Sequence, residues 1–484
     1  MQSEESPMKV STWGRKQFSI FFICWLAFVV IGLICGGIGP EVYKKREMDF
    51  KFNNGTAEFD FGIVSLNRLN QFLYIDVFFL NDLDEGVETQ AFFEVTLRGT
   101  NNRDKYENGV DYPFISSTEH KRTVECDAKK NCTTHTVVYE PFLHYENYHV
   151  TMKITSDTSE NYFSTLFVNF FFVNKSMSNF ELFFRYTFVI INCLVMAYYV
   201  RQVKHVPFSS FTIEQKLIAY CLLLLLLFNN PLYPLRILSG GDFPVVIDSF
   251  FVAFFFIFIM GFWLVIIDGL RYHKHERRFW KFYFPKMIPL AFFFITYVIM
   301  FIWNQVHEID DPQYETINDV NGFLAVRILN LIVFIFFFLW IIYATIRAFQ
   351  TVKQLGHKKR FYFFFFLSLF TFIFTIIAIG GNFISSLRNT AMEFMATFTI
   401  YNAYVLFYAY ALLPSDSKRS AMAGHTQFVD EVSDLEDDLD DDSKNDNQLE
   451  LSEKSESGSQ SQSQSQSQSE EKSQSEEKSN SESD

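Results

Sequence analysis

The sequence predicts an α-helical multi-pass membrane protein, with one signal-anchor helix, a seven-helix bundle, an extracytoplasmic all-β sandwich and a disordered cytoplasmic tail. Three observations carry that prediction. Eight apolar runs approach or exceed the roughly 20 residues needed to cross a bilayer. A stretch of alternating polarity separates the first run from the other seven. The last 71 residues, from Pro414 onward, are polar and acidic.

Residues 1–17 form a short N-terminal segment holding Lys9, Arg15 and Lys16, and 18–38 form the first span. That span of 21 residues exceeds the apolar core of a cleaved signal peptide, about 7–15 residues, which favours a retained anchor. Gly36, Gly37 and Gly39 are nonetheless small enough for a peptidase. The seven-helix region covers 182–413, with spans at Leu182–Val200, Lys216–Leu238, Val245–Leu270, Met287–Trp303, Phe323–Phe349, Phe361–Phe383 and Met392–Leu413. A soluble fold is excluded because helices apolar on every side would have no face for water.

Charge divides the chain further. The net charge is −14, and the segment from Pro414 onward holds 20 acidic and 6 basic side chains, so residues 1–413 are neutral overall. Loops rich in Lys and Arg remain in the cytoplasm. Here they alternate: the N-terminus, Arg201 and Lys204, the Arg271–Lys286 segment, and Lys353 to Arg360 all fall on one side. Both termini are therefore expected in the cytoplasm, and residues 39–178 in the lumen or outside the cell.

Within 39–178, Phe93, Val95 and Leu97 alternate with polar residues, as do Tyr148 to Ile154 and Leu166 to Phe172. That period of two marks half-buried strands. Asn53-Asn54-Gly55 and Gly99-Thr100-Asn101-Asn102 read as turns between them, and the whole suits a compact sandwich. Three glycosylation acceptors occur in this region, Asn54, Asn131 and Asn174, the last close to the next span. Cys126 and Cys132 are expected to pair in an oxidising compartment. His144 and His149 match no metal-ligand spacing, so His120, His135, His144 and His149 are read as surface residues, and no metal or cofactor is expected.

Polar groups within spans are candidates for function because the bilayer makes them costly. They comprise Asn229, Asn230, Pro231 and Pro234 in the third span, with Asp248, Arg327, Asn330, Asn382, Glu393 and Asn402. The two prolines remove backbone donors, so this stretch is either a kink or the wall of a cavity. Asp248, Arg327 and Glu393 lie towards the extracytoplasmic ends, where they could share a vestibule or snorkel to the headgroups.

The anchor, lumenal β domain and seven spans follow the plan of the GOLD-domain seven-transmembrane proteins, the Wntless-like family. The stretches FNNPLYPL (Phe228 to Leu235), DGLRYHKHERRFWKFYFPK (Asp268 to Lys286), WNQVHEIDDPQYE (Trp303 to Glu315) and YNAYVLFYAYALLPS (Tyr401 to Ser415) resemble that group. The likeness covers about residues 205–415. It implies a Wntless-like transmembrane domain, a GOLD-like sandwich, and a link to the trafficking of membrane and secreted cargo.

The Arg271–Lys286 segment mixes basic residues with Phe279, Trp280, Phe282 and Tyr283, which suits anionic headgroups, although topology alone would explain its charges. The tail (414–484) contains an acidic block and a Ser-Gln repeat that cannot bury a core. Ser433 and Ser443 lie beside clustered carboxylates and are candidate phosphorylation sites. The tail is either a sorting signal that engages sorting machinery or a solvated appendage. No catalytic motif is present, so an enzyme is not expected. The leading expectation is a trafficking chaperone or cargo receptor of the Golgi, endosome or plasma membrane. Its partners would be the bilayer, a lipid or a lipidated or secreted cargo, and no nucleic acid. A signalling receptor and a channel or transporter are the alternatives.

Overall fold

A period-two apolar pattern can bury one face only when two sheets close on each other, and the computed structural model shows that arrangement. It describes residues 8–51, 56–63, 65–81, 84–101, 112–128, 130–156, 163–204, 210–269, 272, 278–311, 324–355, 358–381 and 390–415. The strands are β1 (Tyr43–Lys51), β2 (Thr56–Ile63), β3 (Leu73–Asn81), β4 (Val87–Thr100), β5 (Phe114–Cys126), β6 (His135–Glu140), β7 (Asn147–Ser156) and β8 (Phe163–Val173). One sheet has the order β1-β8-β3-β6 and the other β2-β7-β4-β5, all pairs antiparallel. Ile75, Val77, Phe79, Phe93, Val95, Leu97, Val150, Met152, Ile154, Leu166, Val168 and Phe170 fill the space between, each at most 1% exposed. The expected turn at Gly99-Thr100 is instead the end of β4, where both residues keep their ladder partners on β7. A disulfide joins Cys126 to Cys132.

The helices are α1 (Lys9–Thr12), α2 (Arg15–Ile38), α3 (Lys175–Val203), α4 (Ile213–Phe228), α5 (Tyr233–Ser239), α6 (Asp242–Gly269), α7 (Phe284–Asp310), α8 (Leu324–Leu355), α9 (Lys358–Gly381) and α10 (Met392–Ala411). A π-helical turn, Phe279–Tyr283, leads into α7. Among the described residues, six segments are long and apolar enough to cross a membrane. They correspond to α2, α3, α4 with α5, α6, α7 with the turn before it, and α8. The sequence reading gave eight. The two remaining spans are helical as well: the described apolar stretch of α9 is Phe361–Phe374, and α10 carries Thr, Asn and Tyr along a largely buried length.

Fourteen of the twenty residues of α10 are buried, so other helices rather than lipid surround it. The first helix is one of them. Its Gly32 and Gly36 face Thr399 and Met395, and a Cβ on Gly36 would stand 2.8 Å from the Met395 Cβ. A Cβ on Gly32 would run into the Thr399 side chain. The absence of side chains there lets the two helices meet closely, as small residues do between membrane helices. Near the ends of the same pair, Lys9 N–H donates to the Leu413 carbonyl at 2.8 Å, and the Lys359 ammonium donates to the Trp13 carbonyl. The described ends of the chain therefore share one end of the bundle.

The sandwich occupies the opposite end. Only Asn174 separates β8 from α3, and its side chain caps that helix through the Ser176 N–H at 3.1 Å. A single 3-10 turn, Arg68–Asn70, clamps the same junction. Asn70 Nδ2 donates to the Val173 carbonyl at 2.7 Å, Gln71 Nε2 to the Ser178 hydroxyl at 2.8 Å, and that hydroxyl to the Leu69 carbonyl at 2.6 Å. Arg122 on β5 also pairs with Asp311 beyond α7.

Candidate functional site

The third span does not merely bend. α4 ends at Phe228, and Asn230 adopts φ +48° before α5 begins at Tyr233. Asn tolerates this left-handed conformation better than most side chains, and Pro231 and Pro234 can donate no backbone hydrogen bond to continue the helix. The break exposes backbone groups that hydrocarbon cannot satisfy. Protein groups do so instead: Tyr186 OH donates to the Pro231 carbonyl at 3.1 Å, and Leu232 N–H donates to Asn230 Oδ1 at 3.0 Å.

That geometry leaves the other end of the Asn230 amide free to act on α6. Asn230 Nδ2 donates to Asp248 Oδ1 at 2.7 Å. Arg236 Nη1 donates to the other oxygen at 3.2 Å, and Arg185 Nη1 on α3 stands 3.5 Å from Oδ1. Both Arg185 and Asp248 are 6% exposed. The Arg185 guanidinium lies 4.0 Å from the Tyr233 ring centroid and 4.6 Å from that of Phe398, so aromatic faces supply part of its solvation. Tyr233 OH in turn donates to Glu181 Oε2 at 2.5 Å. Two guanidiniums and an amide give this carboxylate the partners that water would otherwise supply, and losing either charge partner would leave a buried charge poorly matched.

One layer deeper, Asn229 and Asn402 exchange both amide hydrogen bonds, at 2.9 and 2.8 Å, and Asn402 also donates to the Phe398 carbonyl. Further along α10, Trp263 Nε1 donates to Tyr404 OH at 2.9 Å, with the Ser368 hydroxyl 3.0 Å from the same oxygen. Towards the far end, Gln215 Nε2 donates to the Leu412 carbonyl, and Lys286 pairs with Asp268 at 2.8 Å. Successive polar groups thus link α10 or its neighbours at several depths.

The structure gathers Asn229, Asn230, Pro231, Pro234, Asp248 and Asn402 around the break. Of Asp248, Arg327 and Glu393, expected to share a vestibule or to snorkel, Asp248 joins this group. Asp248 is engaged by Arg185 and Arg236, and Glu393 is exposed on the first turn of α10. The Arg327 side chain, Asn382, Asn54, Ser433 and Ser443 lie outside the described residues. Asn330 belongs to a separate contact, accepting from the Thr296 hydroxyl at 2.9 Å across α7 and α8. Asn131 is exposed. Asn174, expected as a glycan acceptor, is 8% exposed and caps α3 through its side-chain oxygen.

The surface reading of the histidines is also corrected. His135 and His149 are buried, the first 3.0 Å from the Thr133 hydroxyl and the second against the Tyr112 ring. His144 packs over Gly240 at the junction with the bundle. In the Arg271–Lys286 segment, Phe279 and Trp280 are exposed while Phe282 is buried beside Lys286.

Arg185, Glu181 and Tyr233 are the partners that sequence reasoning missed. Arg185 lies in a Phe-rich run within the second span. Its signal was depth: Arg185, Arg236 and Asp248 all fall near the same ends of their helices, so opposite charges had somewhere to meet.

The break, its buried ion cluster and the α10 contacts lie within residues 174–416, and over those residues the chain matches the family described as Wntless-like, transmembrane domain. The chain belongs to the Wntless-like family. Human transmembrane protein 181 is a relative, 24% identical over 433 residues, which cover 85% of this chain and 88% of the relative. The Wntless-like match begins at Asn174, the residue that ends the sandwich and caps α3.

Proposed function

We propose that this Wntless-like protein is a trafficking chaperone or cargo receptor of the secretory or endosomal route, with its termini in the cytoplasm and its GOLD-like sandwich in the lumen. The observation that supports this reading is the direct coupling of the sandwich to the polar break. The Arg68–Asn70 turn bonds to the first turn of α3, and Arg68 Nη1 donates to the Leu238 carbonyl near the end of α5 at 2.6 Å. A load on the sandwich would therefore reach the two elements that supply Arg185 and Arg236 to Asp248. The positively charged loops support the orientation, and the acidic tail offers a cytoplasmic signal for sorting. Cargo of this kind would be membrane-associated, lipid-modified or secreted protein.

The test compares the full chain with one lacking residues 430–484 in cells. Concentration of the full chain in Golgi or endosomal membranes, lost on tail deletion, is the expected outcome. Plasma-membrane residence of both forms would contradict the reading.

A further inference from the structure

The polar break has a neighbour with a different chemical character. A cavity of about 210 Å³ lies where the sandwich meets the ends of α5, α6 and α7. Arg68 and Arg236 both line it, along with Gln71, Tyr139 and Ser249, and no carboxylate lines it among the described residues. Phe301 contributes an apolar wall from the bundle side. Ser249 lies seven positions into α6, about 10 Å along the helix axis, so the cavity reaches from the base of the sandwich into the outer turns of the bundle.

Both guanidiniums have donors to spare. Each has five N–H groups. Arg68 gives one to the Leu238 carbonyl, and Arg236 gives one to Asp248. Arg68 and Arg236 are the charged side chains of the lining, so the wall itself is cationic among the described residues. A cationic wall beside hydrocarbon calls for an anion. Paired guanidinium forks bind the tetrahedral oxygens of phosphate through two parallel bonds.

We propose that this cavity binds a phosphate group, and that the phosphate is the headgroup of a phospholipid in the leaflet on the sandwich side. The volume supports a headgroup rather than a larger molecule, being smaller than the roughly 300–1,000 Å³ of pockets for drug-sized ligands. The depth supports a lipid, because the cavity sits where the helix ends meet the domain, and Leu238 and Phe243 beside it are 59% and 75% exposed. The assignment goes beyond the trafficking role and does not depend on it.

The test uses the full chain in nanodiscs of phosphatidylcholine, with and without phosphatidic acid, and reads bound lipid by native mass spectrometry after release into detergent. Wild-type protein should retain phosphatidic acid. Arg68→Gln should weaken that retention about tenfold or more, as expected for loss of a charged hydrogen-bonding partner, and Arg68→Lys should restore part of it. Arg68 is exposed on a turn, so both variants are expected to fold, and equal elution on size exclusion checks this. Inorganic phosphate is the parallel arm: if it protects wild type but not Arg68→Gln from thermal unfolding while no lipid is retained, the phosphate site stands and the lipid source is overturned. Equal retention of phosphatidic acid by wild type and Arg68→Gln, with no response to phosphate, would overturn the proposal.

Discussion

Helices α8 and α10 have comparable roles in the chain and opposite chemistry. α8 is almost wholly aliphatic and aromatic through its centre, and Leu331, Ile332, Phe336 and Leu339 are 56–60% exposed. α10 carries Thr399, Asn402, Tyr404 and Tyr408, and these are 0–2% exposed. In water the apolar helix would be the buried one. In a bilayer the exposed face meets hydrocarbon, so hydropathy reports contact with lipid, and polar side chains mark the centre where other helices can satisfy them. The same contrast explains why composition alone admits α8 as a span and leaves α10 out.

The comparison breaks most forcefully at Asp248. Asp248→Leu removes the carboxylate shared by Arg185 and Arg236 and should destabilise the bundle by about 3–5 kcal/mol, measured by unfolding of purified protein in mixed micelles. Adding Arg185→Met should recover a large part of the loss. The lipid-facing Ile335→Ala on α8 should fall within about 0.5 kcal/mol of wild type by the usual behaviour of surface positions. Equal effects at the two positions would remove the distinction between them.

Packing against α10 gives the next effect. Gly32→Val places methyl groups where Thr399 lies, and overpacking of this kind costs about 1–3 kcal/mol. Gly37→Val on the same helix should be far milder, because a Cβ there meets nothing closer than the Met392 Cε at 3.9 Å. Asn402→Leu should cost less, on the order of 1 kcal/mol, since polar contacts between membrane helices are individually modest. A double substitution with Asn229→Leu should cost less than the sum of the singles.

A separate effect lies outside the bundle, where water restores the ordinary rules. Burial raises the Glu140 carboxyl to about 7, from 4.5. The folded sandwich therefore holds this proton more tightly than the unfolded chain. Glu140 costs nothing below pH 4.5, where both states are protonated; it destabilises the fold progressively as pH rises from 4.5 to about 7, and the loss levels off above that. Thermal unfolding of the sandwich in the intact protein should show that decline, and Glu140→Gln should flatten it.

The outline of this molecule was readable from patterns. Apolar runs marked the helices, and alternation at Phe93 to Leu97 and Leu166 to Phe172 marked inner faces of the two sheets. What stayed hidden depended on how the helices are arranged. Arg185 looked like an isolated charge because its partner is 63 residues away on α6. Asn174 also caps α3 with its side-chain oxygen, which a sequence motif does not show. The third span read as one segment, and the sequence left open whether its prolines bend it or line a cavity. The left-handed backbone at Asn230, which turns its amide towards Asp248, is what makes the break a site. Thr212 and Gln215 form a capping box at the start of α4, a local signal that would have moved the predicted start from Lys216 to Ile213.

The central claim is that α10 is enclosed by protein while α8 faces lipid. A phospholipid carrying a photoreactive diazirine on its acyl chain, activated with the full chain in nanodiscs, tests it by mapping labelled peptides. Labelling concentrated on residues 328–346 of α8, with residues 395–409 of α10 at background, is the predicted result. Comparable labelling of the two helices would contradict the account.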